Sequence, residues 1–483
     1  MNKVKRISSL ALALLLLASS CGTTAPADGD TTAASGEDTT TAPETELVPA
    51  LDDRDFGGRT FRIAGTRWAT YAPLDYIDIV VDEQNGEVLN DAAFARNAAM
   101  ADKYNCKVEF SQLESTQGLT ALQTEVMSGD GAYDIYLLRG TFAASAVSEG
   151  YLTDLSTVPN VDLDKPWYEK EAFDALAAGG KNFIGLSYVT TNHMNSVWTV
   201  CFNKQMIADN KLDDPYQLVR DGKWTFDKAI QMASTVARDL NGDTKMDEND
   251  LWGINHTNDT IMGIINSCGI NIAEMSGGKM KLTLGEAKSM ERLQDILTKL
   301  FNEAYAMDTL SRSTMKAQDM DGQYFAKDQV LLLFTATHLI SALRQMDVEF
   351  GMLPYPKYSE AEDYTTTAAG IFTTLTTIPK SVSDLDVVGY FLEAYAYEGW
   401  KNVKPAYYDK VLQGKVARDE ESKEMLDYIY SGITYDAGNV YNINKMASNI
   451  AGMSATLNTD VASFMGTHLT ATETAIAAFN AVK

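Results

Sequence analysis

Polar and apolar residues alternate from Thr60 to Gly65 (TFRIAG), placing Phe61 and Ile63 on one face just after the turn signal Gly57-Gly58. Period-two alternation marks a half-buried strand. A helical period takes over from about Asn90 to Tyr104, with Phe94, Ala98, Ala101 and Tyr104 predicted to share a face. Alternation returns at Cys106 to Phe110, with Lys107 and Glu109 on the other side, before a helix-like Leu119 to Met127 and a strand Tyr133 to Leu138. This β-α-β-α-β order predicts an α/β fold, a largely parallel sheet covered by helices, with ligands beyond the carboxyl ends of its strands. Thr66 to Tyr71 and Arg139 stand at those ends.

A second set begins near Val197. Ser196 to Asn203 (SVWTVCFN) reads as a strand, and Thr225 is the expected N-cap of a helix running through Ala237. Gly277-Gly278 predicts a tight hairpin. A helix from about Glu286 to Phe301 places Met290, Leu293, Ile296, Leu297 and Leu300 together. Strands are predicted at Leu251–Asn255, Gln329–Phe334, Val348–Pro354 and Ile371–Ile378, and Ser383 is expected to cap a helix through Tyr397. No repeat of 20–50 residues is visible.

A length of 483 residues leaves room for two or more lobes. The 40 Lys and Arg against 66 Asp and Glu give a net charge of −26, which disfavours nucleic acid as a partner. Three of those cations, Lys3, Lys5 and Arg6, precede the apolar run Ile7 to Ala18, too short for a membrane span but right for a signal peptide over residues 1–20. The mature charge is then 37 − 66 = −29. The small residues ending at Cys21 resemble a bacterial lipobox, with Ala18 standing where Leu is usual. Cys21 would be lipidated, and the alternative is a plain secretory signal. Residues 22–50 hold eight threonines, six acids and no cation, so 21–52 is expected to be a disordered tether. Signal, anchor and tether together describe a body held at the outer face of a bacterial cell membrane. Cys106, Cys201 and Cys268 sit in apolar settings and are expected as buried thiols.

The segments DFGGRTFRIAG (55–65), GDGAYDIYLL (129–138), WTVCFNKQM (198–206), DPYQLVRDGKWTFDKA (214–229), DLNGDTKMDENDLWG (239–253), FGMLPYPK (350–357) and GKVARDEESKEMLDYIY (414–430) follow in this order. An FNK strand, a Lys-Trp-Thr helix start and a YP-K strand before a Thr-rich one resemble, in combination, the extracellular solute-binding proteins of ABC transporters, family 1 (the maltose-binding-protein-like group). The resemblance implies a two-lobe periplasmic-binding-protein-like (type II) clamp with a central cleft. Lobe 1 would hold residues 53–198 plus 370–410, and lobe 2 residues 199–369 plus 411–483. Crossings would fall near Val197–Phe202, near Ala368–Thr373 and around 405–435. It further implies a non-enzymatic monomer that carries a small solute, a sugar by family expectation, to ABC permease subunits. No ATP-binding loop accompanies it, so another chain must couple the energy.

Asp239, Asn241, Asp243, Lys245, Asp247 and Asp250 fall at positions 1, 3, 5, 7, 9 and 12 of an EF-hand-like spacing, which would wrap oxygens around calcium as a structural cofactor. Asp250 at position 12 looks like the dockerin variant. Thr244 replaces the usual Gly at position 6, and positive φ there costs about 1–2 kcal/mol. The alternative is an acidic solvated loop.

Sugars present flat apolar faces rimmed by hydroxyls, so their clefts combine aromatics with polar side chains. Trp68 is the stacking candidate, or else packs on its own lobe. Arg139 is placed to fork onto hydroxyls or a carboxylate, or to make a structural salt bridge. Asn192, His193 and Asn195 lie in a polar segment before the first crossing, and Thr337 and His338 follow the strand Gln329–Phe334. By order, His338 stands where the maltose-binding group carries a stacking aromatic. Asp259, Tyr435 and Tyr441 complete the candidates. The competing reading is an anchored carbohydrate-active enzyme or glycan-binding surface protein braced by calcium, since two carboxylates suffice for a glycosidase. No HExxH, GxSxG or Cys-His metal spacing supports it. A purely structural adhesin fits the tether but not the α/β alternation.

Overall fold

Runs such as VLLLFTA in Val330–Ala336 are apolar at nearly every position, the mark of a strand covered on both faces. The computed structural model, which describes residues 47–67, 76–308, 322–343, 346–367, 373–413 and 420–481, places these strands at two sheet centres. In chain order the strands are β1 (Arg59–Arg67), β2 (Cys106–Glu114), β3 (Ile135–Arg139), β4 (Trp198–Asn203), β5 (Trp252–His256), β6 (Ala273–Ser276), β7 (Lys279–Leu282) and β8 (Ala306–Asp308). They continue as β9 (Val330–Ala336), β10 (Phe350–Leu353), β11 (Thr366–Thr367), β12 (Thr374–Thr377) and β13 (Ile433–Thr434).

The first sheet has the order β12-β3-β1-β2. β1 runs parallel to β2 and β3, as the alternating strands and helices require, while β12 is antiparallel to β3. The edge strand β2 shows Lys107 and Glu109 to solvent. The second sheet, β10-β4-β9-β5-β8, is mixed. β5 is parallel to β8 and β9, and β4 is antiparallel to both β9 and β10. β6 and β7 form the hairpin predicted at Gly277-Gly278, both with positive φ. β8, three residues long, is too short for a period to show in sequence.

Thr225 caps the helix Phe226–Val236 by accepting from the Lys228 amide. At the helix Leu385–Glu398 the cap is Asp384, which accepts from the Val387 amide, and not the neighbouring Ser383. An aspartate carboxylate competes well with a hydroxyl at this position. A larger correction concerns the helix Val88–Tyr104. Its buried side is Leu89, Ala93, Arg96, Met100 and Tyr104, so the predicted face was rotated, and Ala98 and Ala101 are exposed. Arg96 sits on that buried side because tertiary structure supplies backbone carbonyls to hold it.

The helix Leu385–Glu398 continues through a π turn, Gly399–Val403, into the helix Lys404–Gln413. A Cβ at Gly399 would lie 1.8 Å from the Tyr188 carbonyl oxygen, so only glycine lets this rod rest against the chain entering β4. All three cysteines of the described residues are free and buried. Burial raises the Cys106 thiol to about 11, so it stays protonated and inert. No helix among the described residues is long and apolar enough to cross a membrane.

Candidate functional site

The carboxyl ends of β1 and β3 are tied into one rigid edge. Thr66, at 1% exposure, donates through Oγ1 to the Leu137 carbonyl (3.3 Å) and accepts there from the Arg139 amide (3.2 Å). Arg139 Nε donates to the Thr66 carbonyl at 3.3 Å. Tyr76 reaches the same carbonyl (3.2 Å), that of Leu137 (3.3 Å) and Thr374 Oγ1 at the start of β12 (3.3 Å). Burial, opposed by the Thr374 hydrogen bond and the Arg139 charge, pushes the Tyr76 phenol up to about 12.

Opposite stands the end of β9. Thr337 Oγ1 donates to the Met194 carbonyl (2.8 Å), and its amide donates to that of Val197 (2.9 Å). His338 Nδ1 lies 2.9 Å from the Asn195 carbonyl. A carbonyl can only accept, so Nδ1 carries the proton and Nε2 is the acceptor of this imidazole. Burial, offset in part by that hydrogen bond and reinforced by the Arg139 charge, lowers the His338 pKa to about 4. The Asn195 side chain accepts from Tyr407 Oη at 2.9 Å. Arg139, Asn195, Thr337 and His338 are therefore brought to one place where the ends of both sheets meet, as polar groups held by the backbone.

The chain entering this site is anchored by a buried network that sequence reasoning missed. The Asp78 carboxylate accepts from the Thr190 and Thr191 hydroxyls, each at 2.8 Å. Arg96 donates to the carbonyls of Val189 (3.0 Å), Asp78 (2.5 Å) and Ile79 (3.0 Å), with its guanidinium 4.0 Å above the Tyr395 ring centre. The available signal was a charged residue inside an i, i+3, i+4, i+7 apolar stripe.

The remaining candidates separate. Asn192 and His193 are buried beside this network, His193 lying edge-on to Tyr188 with ring centres 5.3 Å apart. Asp259 lies in the first turn of the helix Asn258–Ser267, which starts at the carboxyl end of β5 and so at the same edge as His338; burial raises its pKa. Tyr435 is half-buried just after β13, which pairs with β11. Tyr441 donates to the Leu176 carbonyl at 2.7 Å and packs on Phe479, 5% exposed. Trp68, Cys21 and the 368–372 part of a proposed crossing lie outside the described residues.

The 239–250 loop is closed by its own side chains. Asp239 accepts from the amides of Gly242 (2.7 Å) and Thr244 (2.8 Å), Asn241 from that of Asp243 (2.8 Å), and Asp243 from that of Lys245 (2.8 Å). Asp247 accepts from the Asn249 amide at 2.8 Å. The fully buried Asp250 accepts from Leu240 (2.9 Å) and Asp247 (2.7 Å). Thr244 takes φ +70°. Among the described residues no group of three or more His, Cys, Asp or Glu is disposed to hold a metal ion.

Residues 83–259 match the family of bacterial extracellular solute-binding proteins. No curated protein matches the chain. Among solved structures, the cyclic alpha-maltosyl-1,6-maltose binding protein from Arthrobacter globiformis superposes with a TM-score of 0.57 at 14% identity, covering 88% of this chain and 99% of that one. The ABC substrate-binding protein Lmo0181 from Listeria monocytogenes, in complex with cycloalternan, gives 0.53 at 14% identity over 88% and 98%. UspC of M. tuberculosis gives 0.54 at 14% over 88% and 100%. The fold is thus the two-lobe, type II periplasmic-binding-protein architecture.

Proposed function

We propose that this chain is the extracytoplasmic capture subunit of an ABC importer, binding a sugar between its two sheets and passing it on chemically unchanged. The observation that carries the reading is the meeting of Arg139, Asn195, Thr337 and His338 where strand ends of both sheets face each other. A neutral imidazole nitrogen accepts and a guanidinium donates, a complementary pair for the hydroxyls of a sugar. Contacts made only when both sheets hold the ligand favour the closed clamp, and their loss on release reopens it. The neighbours that bind maltose-type and cyclic oligosaccharides support a sugar as solute, and the matching family supports an extracellular setting with permease subunits as partners. Cys21 would supply the lipid anchor and residues 21–52 the tether.

Titrating the protein with maltotriose and cyclic maltodextrins by calorimetry tests this. Binding should weaken about tenfold or more in His338→Ala, the worth of one buried hydrogen bond, and chromatography should recover the sugar intact. Accumulating cleavage products would establish the enzyme reading instead, and a His338→Ala affinity equal to wild type would reject this site.

We also propose calcium as a structural ligand of the 239–250 loop. The donor spacing and the left-handed Thr244 support it, whereas the loop's oxygens face its own amides and would have to turn toward an ion. Millimolar calcium should raise the melting temperature of wild type but not of an Asp239→Ala, Asp243→Ala double variant. Absence of a rise in wild type ends the proposal.

A further inference from the structure

The helices Lys404–Gln413 and Glu420–Ser431 frame a groove of about 370 Å³ lined by Tyr408, Asp427, Tyr428, Tyr430 and Ser431. Tyr430 adjoins the site where the sheets meet through its hydroxyl at the Met194 carbonyl, while Tyr408, Asp427, Tyr428 and Ser431 are not among the residues placed there. We propose that this groove is a second binding site, for a single neutral sugar ring.

Its volume falls within the range of small-molecule sites. Three of its five lining residues are tyrosines, each only half-buried. Tyr408 and Tyr430 stand edge to face, ring centres 5.2 Å apart at 70°, so together they present an angled wall rather than a closed stack. Tyr428 is set perpendicular to Tyr364 behind it, at 5.9 Å and 87°. Tyr430 is steadied by its hydroxyl, which approaches the Met194 carbonyl (3.4 Å) and Tyr407 Oη (3.5 Å). A wall whose rotamers are already held costs little ordering on binding. Flat aromatic faces suit the C–H faces of a sugar ring.

Asp427 supplies the polar half. Its side chain is exposed at the groove, and no Lys, Arg or His among the described residues is paired with it. An ionised carboxylate is an acceptor with two oxygens, matched to neighbouring hydroxyls. The Asp427 carboxylate itself, in a chain of net charge −26, disfavours an anionic ring. Ser431 Oγ donates to the Asp427 carbonyl at 2.5 Å.

The test uses D-glucose, D-galactose and D-mannose, each titrated by saturation-transfer NMR into the full chain, His338→Ala and Asp427→Ala. At least one hexose should bind His338→Ala saturably, and Asp427→Ala should weaken that event about tenfold or more. Asp427 is exposed, so its variant should denature like wild type. The proposal is overturned if none of the three hexoses binds His338→Ala, or if Asp427→Ala binds with wild-type affinity. Binding lost in Asp427→Ala upholds the groove even where His338→Ala matches wild type throughout, a result that would count against the first site alone.

Discussion

Replacing Arg96 with alanine should lower the free energy of unfolding by about 3–5 kcal/mol, the cost of breaking a buried charged network and leaving a cavity. Arg96 is 0% exposed, and its guanidinium serves three carbonyls and one aromatic face at once. Truncation leaves the carbonyls of Asp78 and Val189 without that donor in a dry setting, where each lost bond costs about 1–3 kcal/mol before relaxation, whereas the Ile79 carbonyl keeps Asn97 and Tyr395. Arg96→Lys keeps the charge but cannot fork, so it should fall between the two. Urea denaturation followed by far-UV circular dichroism gives the comparison. An Arg96→Ala midpoint equal to wild type would show that the network does not hold the segment from Val189 to Thr191.

Protonation of His338 should make the protein less stable as the pH falls from about 6.5 toward 4. The folded-state pKa lies near 4, below the ordinary value of 6.5, because the ring is buried and faces the Arg139 charge. Between those values the unfolded chain binds the proton and the folded chain does not, so stability rises with pH across the window. At about 1.4 kcal/mol per unit, full expression amounts to about 3 kcal/mol. Buried His193 and His256 act in the same direction, while the raised carboxyls of Asp259, Glu393 and Asp436 oppose it. The readout is therefore a difference: wild type minus His338→Gln, measured by denaturation at each pH. That difference should grow in favour of wild type from pH 4 to 6.5, and a flat one would contradict a buried neutral imidazole.

The candidate site was legible in part from the sequence. His338 and Thr337 were found because they directly follow an apolar strand, and Asn195 because a polar run interrupts two apolar ones. Asp78, Tyr76 and Tyr407 carried no such mark. Tyr76 binds carbonyls at residues 66 and 137 and a hydroxyl at 374, separations that no local pattern encodes. Tyr441, a further candidate from the sequence, bonds to Leu176, a residue 265 positions away.

Local periodicity was enough for the longer strands, for five of the helices, the hairpin at Gly277-Gly278 and the cap at Thr225, because those depend on side-chain spacing and on groups within four residues. Tertiary structure alone decided the antiparallel setting of β4 and the burial of Arg96. It also decided which polar groups meet between the sheets. Each depends on partners outside any local window, as Arg96 with the Val189 carbonyl 93 positions on and His338 with the Asn195 carbonyl 143 positions back, and a buried charge is tolerated only where such partners converge.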